Sequence, residues 1–144
     1  MRSGNPYSRA RPSLPPVGRS PSVESGVRRI GAEQELFIVD RRGRPAPRAM
    51  DLLEAVDDPH FTTELASFNL EFNLDPLPLE ADTLHRLEED LDAKLAQVRD
   101  AARGLDLEVV MTGILPTLEK ADLSLANMAP VPRYFALNDA MNRV

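Results

Sequence analysis

Apolar and polar positions alternate with a period of two along two stretches of the chain, and recur at steps of three and four along a third. In RIGAEQELFIVD (29–40), Ala32, Gln34, Leu36 and Ile38 fall on one side of an extended chain, and Glu33, Glu35, Phe37 and Val39 on the other. This predicts a strand. RRGRP (41–45) predicts a turn with Gly43 and Pro45 as breakers. Leu52, Leu53 and Val56 mark a short helix from Met50 to Val56, ended by Asp57, Asp58 and Pro59. A second extended region is FTTELASFNLEFNLDPLPL (61–79), where Phe68, Leu70, Phe72 and Leu74 alternate with Asn69, Glu71 and Asn73 until Pro76 and Pro78 stop the strand.

A long helix is predicted from about Asp82 to Arg103, because Leu84, Leu87, Leu91, Leu95, Val98 and Ala102 form one apolar stripe. At 1.5 Å per residue it spans roughly 30 Å. Asp82 is placed to cap its start and Gly104 to end it in a left-handed turn. A strand from Leu107 to Thr112 and the turn GILPT (113–117) follow, and VPRYFALNDAMNRV (131–144) opens a last helix. There Pro132 suits the first turn, and Tyr134, Leu137 and Met141 form the stripe. The order of elements predicts an α+β domain, with helices on one face of a mostly antiparallel sheet. No glycine-rich loop joins a strand to a helix, which argues against a P-loop or a dinucleotide fold. The last helix reaches the chain end without a cap or closing strand, as a truncated domain would.

Charge divides the chain. Residues 1–29 hold six arginines against one acid, whereas the remainder holds 11 basic and 22 acidic residues. The first 28 residues form a basic leader rich in Pro, Ser and Arg, with too little apolar surface to offset the entropy of ordering; they are expected to be disordered. The acidic body repels nucleic acid and suits cations. Without cysteine there is no disulfide framework and no thiolate metal site, which suits a cytoplasmic protein. No apolar run is long enough for a membrane span, so no membrane partner is expected.

The chemistry-bearing feature is carboxylates within strands that otherwise look buried. Glu33 and Glu35 are two apart and project from one face, about 7 Å apart along the strand. Glu64 and Glu71 lie in the second extended region. If the two regions pair, four acids meet on one sheet face. Their mutual repulsion is relieved by protonation or by hard divalent cations such as Mg²⁺, which take carboxylates, waters and substrate phosphates as ligands. Such a set suits a nucleotide-dependent reaction with more than one metal ion. The same alternation also marks an ordinary strand with one wet face, and Asn69 and Asn73 beside Glu71 fit that reading. His60 and His85 are lone histidines expected on the surface. Arg133 and Tyr134 open the last helix, where a guanidinium and a phenol can meet an anionic substrate or serve packing.

GAEQELFIVD resembles the opening strand of the glutamate–cysteine ligase family of the bacterial carboxylate–amine ligase type, in which Gly-x-Glu-x-Glu runs into an apolar segment and Asp. Thr63-Glu64-Leu65 followed by NLEFNLDP resembles its second acidic block. TGILPT resembles its Gly-x-x-Pro turn, and PRYFALN its Arg-Tyr motif. The likeness covers residues 29–144, in the family's order. It implies a glutamine-synthetase-like fold whose antiparallel sheet forms an open funnel for glutamate and ATP. It further implies Glu33 and Glu35 as a catalytic metal-binding pair, with Glu64 and Glu71 completing the Mg²⁺ or Mn²⁺ shell or contacting substrate. Arg133 and Tyr134, at the start of the last helix, are the candidate substrate-binding residues. The implied reaction passes a phosphoryl group from ATP to the glutamate side chain, and the amine of cysteine or another acceptor attacks the acyl phosphate, the chemistry that opens glutathione biosynthesis.

Members of that family are longer than this chain, and their later strands supply further acids and the basic groups that hold ATP. Residues 29–144 are therefore expected to be the N-terminal part of such a catalytic domain, inactive alone and able to self-associate through an open sheet edge. The alternatives are a non-catalytic interaction module and a divalent-cation-binding module on the same fold.

Overall fold

The computed structural model describes residues 26–143. The expected disorder of the leader falls almost wholly on residues 1–25 and so lies outside the described residues, as does Val144. The elements are β1 (Arg29–Ile30), β2 (Glu33–Val39), α1 (Ala49–Val56), β3 (Phe61–Thr63), β4 (Asn69–Asn73), β5 (Leu77–Pro78), α2 (Thr83–Gly104), β6 (Glu108–Val110) and α3 (Pro132–Met141). Two 3₁₀ turns, Lys120–Asp122 and Leu125–Asn127, lie before α3. The main sheet has the order β3-β4-β2-β6 with antiparallel neighbours throughout, and β1 pairs with β5 in a separate two-stranded ladder. This is the α+β arrangement that the periodicities predict.

One face of the sheet makes the core. Leu36 and Ile38 of β2, Leu70 and Phe72 of β4 and Phe61 of β3 pack under Leu52 and Val56 of α1 and under Leu87, Leu95, Val98 and Ala102 of α2. Leu36, Ile38, Leu70 and Phe72 are at most 1% exposed, so the alternation of β2 and β4 sets which face is covered. The Asp40 carboxylate shapes the turn after β2 by accepting the backbone N–H groups of Arg42 (2.8 Å) and Arg44 (2.9 Å), with Gly43 at φ +72°.

Several expectations shift. The second extended region is a hairpin with a bend, not one strand. Its inward positions are odd-numbered at Phe61 and Thr63 but even-numbered at Leu70 and Phe72, and this change of phase is accommodated by the turn over 64–68. Glu64 therefore sits just past β3 in that turn, while Glu71 is in the middle of β4. At the start of α2, Leu84 is exposed and Thr83 is fully buried. Thr83 Oγ1 donates to the Pro78 carbonyl at 2.6 Å and accepts the Glu80 N–H at 2.8 Å, whereas Asp82 makes no side-chain cap. Gly104 is the last helical residue, and the left-handed residue is Asp106, at φ 62°. Aspartate tolerates that region because its short polar side chain can bond locally. Strand β6 stops at Val110; beyond it Met111 and Thr112 are exposed, and Thr112 Oγ1 donates to the Ile114 carbonyl.

In α3, Tyr134 is buried, but Leu137 and Met141 are exposed. Where α1 and α2 cover the sheet, α3 meets its β3 edge through Tyr134, whose hydroxyl donates to the Thr63 carbonyl at 3.0 Å. The segment before α3 is tied to the sheet by Arg44 to Glu119 (2.6 Å), by Thr117 to the Gly43 carbonyl, and by Ser67 Oγ to the Asn127 carbonyl (2.8 Å).

Candidate metal and substrate face

The sheet face opposite the helices carries the acids. Period-two alternation puts Glu33, Glu35 and Phe37 of β2 on it, with Asn69, Glu71 and Asn73 of β4 and Thr62 of β3. The register places Glu35 directly across from Glu71, Glu33 across from Asn73, and Thr62 across from Glu71 on the other side. Adjacent strands run about 4.8 Å apart, so Glu35 and Glu71 are like charges in direct opposition, an arrangement that destabilises a sheet unless something neutralises it.

Glu64 joins them from the β3–β4 turn. Its carboxyl is held above the usual carboxylate range, first by burial, then by a hydrogen bond with Glu71, and then by the charges of Glu71 and Glu35. The structure thus brings Glu35, Glu64 and Glu71 together. Glu33 lies one step farther along the same face, exposed, beside a cavity of about 370 Å³ that it shares with Gly31 and Asn73. A second cavity, of about 220 Å³, opens between Glu35, Glu64, Phe37 and Phe68. The rings of Phe37 and Phe68 stack at 6.5 Å and close its apolar side.

The donor set is entirely carboxylate oxygen, with no imidazole or thiolate among the four, which fits a hard cation such as Mg²⁺ or Mn²⁺ rather than zinc. The raised Glu64 carboxyl fits as well: burial first, and then Glu71 and Glu35, disfavour its ionised form, a cost that a bound cation would relieve. Among the described residues no three His, Cys, Asp or Glu side chains already converge at metal-ligand spacing. The acids share a face without closing on one point.

Arg133 stands at the edge of this face. Its guanidinium donates to the Tyr134 hydroxyl at 2.7 Å and lies 4.7 Å from the centre of that ring. Its own pKa is raised by the bond to Tyr134 first, and further down by the charges of Glu64 and Glu71. Tyr134, bonded to the Thr63 carbonyl, is thus a buried strut between β3 and Arg133 rather than an open group.

Two features escape sequence reasoning. Asn73, read there as a sign of a wet face, donates its side-chain N–H to Glu71 at 2.7 Å. His60 is not a simple surface residue: its Nδ1 lies 2.8 Å from Asp58 and 3.2 Å from Lys94 Nζ, and its Nε2 lies 3.5 Å from Asp75. Burial pushes the Asp58 carboxyl upward, but the combined bonds from Lys94 and from the His60 backbone and ring outweigh it and hold that group far below the usual range. The partners sit 34 and 36 positions apart, in a loop and on α2, so only the fold joins them. His85 is on the exposed side of α2 near Glu88 and Glu89, as expected.

No described helix is long and apolar enough to cross a membrane. Comparison with curated proteins and with solved structures returns no match. A family model described as glutamate-cysteine ligase family 2 matches residues 29–144, the same span that carries the four motifs, and the chain belongs to that family, whose kind of activity is ATP-dependent carboxylate–amine ligation.

Proposed function

We propose that this chain supplies the acidic, cation-binding face of a ligase that joins the side-chain carboxylate of glutamate to the amine of cysteine or of another acceptor. The observation that carries the reading is the register. Pairing β2 with β4 sets Glu35 opposite Glu71, with Glu33 on the same face and Glu64 brought within electrostatic reach of Glu71 and Glu35 from the β3–β4 turn. Four acids on a sheet face cost stability unless they serve a charge.

When bound, Mg²⁺ or Mn²⁺ would be held by Glu33, Glu35, Glu64 and Glu71 and would neutralise charge on ATP during phosphoryl transfer. The chain's own residues do the rest. Glu33 and Glu35, on one rigid strand, fix the site relative to the core. Arg133, locked by Tyr134, offers a cation to the carboxylate or phosphoryl group of a substrate entering from the α3 side. Phe37 and Phe68 give the cavity beside Glu35 an apolar wall. Transfer of the terminal phosphoryl group of ATP to the glutamate side chain gives an acyl phosphate and ADP. The acceptor amine then displaces phosphate and loses its proton to form the amide.

The chain alone is read as inactive. Arg133 is a basic group whose electrostatics couple to the acids, while Arg41, Arg48 and Arg103 pair with Asp106, Asp51 and Asp100 elsewhere. Calorimetry of the chain with Mg²⁺ and a non-hydrolysable ATP analogue tests the reading. A saturable Mg²⁺ signal lost in Glu35→Gln supports it, and no signal from either titrant returns the fold to a pure interaction role. Incubation with ATP, Mg²⁺, glutamate and cysteine tests the inactivity separately, since sustained formation of ADP and dipeptide contradicts it.

A further inference from the structure

Asn73 occupies the one corner of the acidic lattice that is not an acid. On β2 and β4 the facing pairs are Glu35 with Glu71 and Glu33 with Asn73. An acid in place of Asn73 would give two directly opposed carboxylate pairs on adjacent rungs of one ladder, which the sheet would bear at added cost. The amide does more than avoid that charge. It donates to one oxygen of Glu71 at 2.7 Å, from a half-buried position. The residue itself is pinned on both sides: Phe72 before it is fully buried, and its backbone N–H donates to the His60 carbonyl at 3.0 Å.

We infer that Asn73 is a positioning residue for the cation site, fixing the Glu71 carboxylate in the orientation in which it faces Glu35 and Glu64. This rests on the reading of that face as a cation site. An amide suits the task because it is a donor without charge. Lysine or arginine at this place would neutralise Glu71 and compete with the cation, and an apolar residue would leave the carboxylate to rotate. Partners that orient a ligating carboxylate commonly matter almost as much as the ligands, and their loss costs about 10–100-fold in metal affinity. Asn69, on the other side of Glu71 along β4, lines the cavity beside Glu35 and Glu64 but makes no such bond among the described contacts, which provides an internal comparison.

The test is Mn²⁺ binding to the 144-residue chain, followed by the electron paramagnetic resonance of free Mn²⁺, with thermal melts on every variant. Asn73→Leu keeps the branched shape and removes the donor; it is expected to weaken Mn²⁺ binding about tenfold or more. Its melting temperature without metal should stay close to that of the parent. Asn69→Leu should weaken Mn²⁺ binding clearly less than Asn73→Leu. Should the leucine variant fail to fold, Asn73→Thr, a good strand former too short to reach Glu71, gives the same comparison. Equal Mn²⁺ affinity in parent and Asn73 variant overturns the positioning role while leaving the cation site standing. Equal loss in both asparagine variants overturns it too, by showing a general effect on the strand. A parent chain that binds no Mn²⁺ overturns the cation site itself, and the inference with it.

Discussion

Replacing Glu64 by glutamine should make the metal-free chain more stable, the reverse of what loss of a half-buried hydrogen-bonded group usually does. Glu64 holds its proton to higher pH in the folded chain than in the unfolded one, because burial and the charges of Glu71 and Glu35 oppose its ionisation. Between the two values the folded state binds more protons than the unfolded state, so stability falls as pH rises through that window. The penalty grows as pH rises above the ordinary carboxylate value and is complete above the raised folded one. Each like-charge neighbour on a sheet costs about 0.2–1 kcal/mol, and Glu64 has two. A neutral isostere should therefore recover about 1 kcal/mol, a rise of about 3–6 °C in melting temperature for a domain of this size. Divalent cations should invert the order, since a ligand at 100 times its Kd stabilises the native state by about 2.7 kcal/mol, and the glutamine variant should gain less. Thermal melts at pH 4.5 and 7.5, in chelator and in saturating Mg²⁺, give all the comparisons needed. A variant less stable than the parent in chelator at pH 7.5 would refute the repulsion on which the site rests.

Other expectations follow from the same contacts. In an enzyme carrying this segment, Glu33→Gln and Glu35→Gln should each remove most turnover with little change in melting temperature, and near-normal rates in both would return these residues to an ordinary wet face. The His60 imidazole is raised by its bonds to Asp58 and Asp75, so its contribution to stability is full below the ordinary imidazole value and lost as pH rises through the raised one. Melts between pH 5.5 and 8.5 should show that decline in the parent, and a much shallower one in His60→Gln. Thr83→Ala removes two hydrogen bonds from a fully buried site and should cost about 1–3 kcal/mol by urea denaturation, more than any plausible effect at the exposed Leu84.

The parts of the fold legible in the sequence are those governed by local period. Leu36 and Ile38, and Leu70 and Phe72, point inward because alternation against a covered face leaves no other arrangement, and the outward direction of Glu33, Glu35 and Glu71 follows from it. Leu87 through Ala102 read as a buried helical stripe for the same reason. Phase at element ends was less legible. The bend after Thr63 and the exchange of Leu84 for Thr83 depend on where a neighbouring segment supplies a partner: Asn127 for Ser67, and Pro78 for Thr83. Apolar spacing in α3 also misleads, because Leu137 and Met141 keep a helical interval without a surface to cover them among the described residues. Asn73 and the Asp58–His60–Lys94 group were illegible because an asparagine or histidine acquires a role only from the side chain the fold places against it.

The most direct test of the acidic face is to see where a divalent cation sits. With ¹³C-carboxyl glutamate in the chain and each resonance assigned by single Glu→Gln substitution, Mn²⁺ is added in small substoichiometric steps, and the paramagnetic broadening of each carboxyl signal is followed. Broadening should begin at Glu35, Glu64 and Glu71, reach Glu33 next, and be reversed by excess Mg²⁺. Broadening that begins at Glu88 and Glu89 on the exposed side of α2, or that spreads evenly over all the glutamates, would contradict a cation site on the sheet.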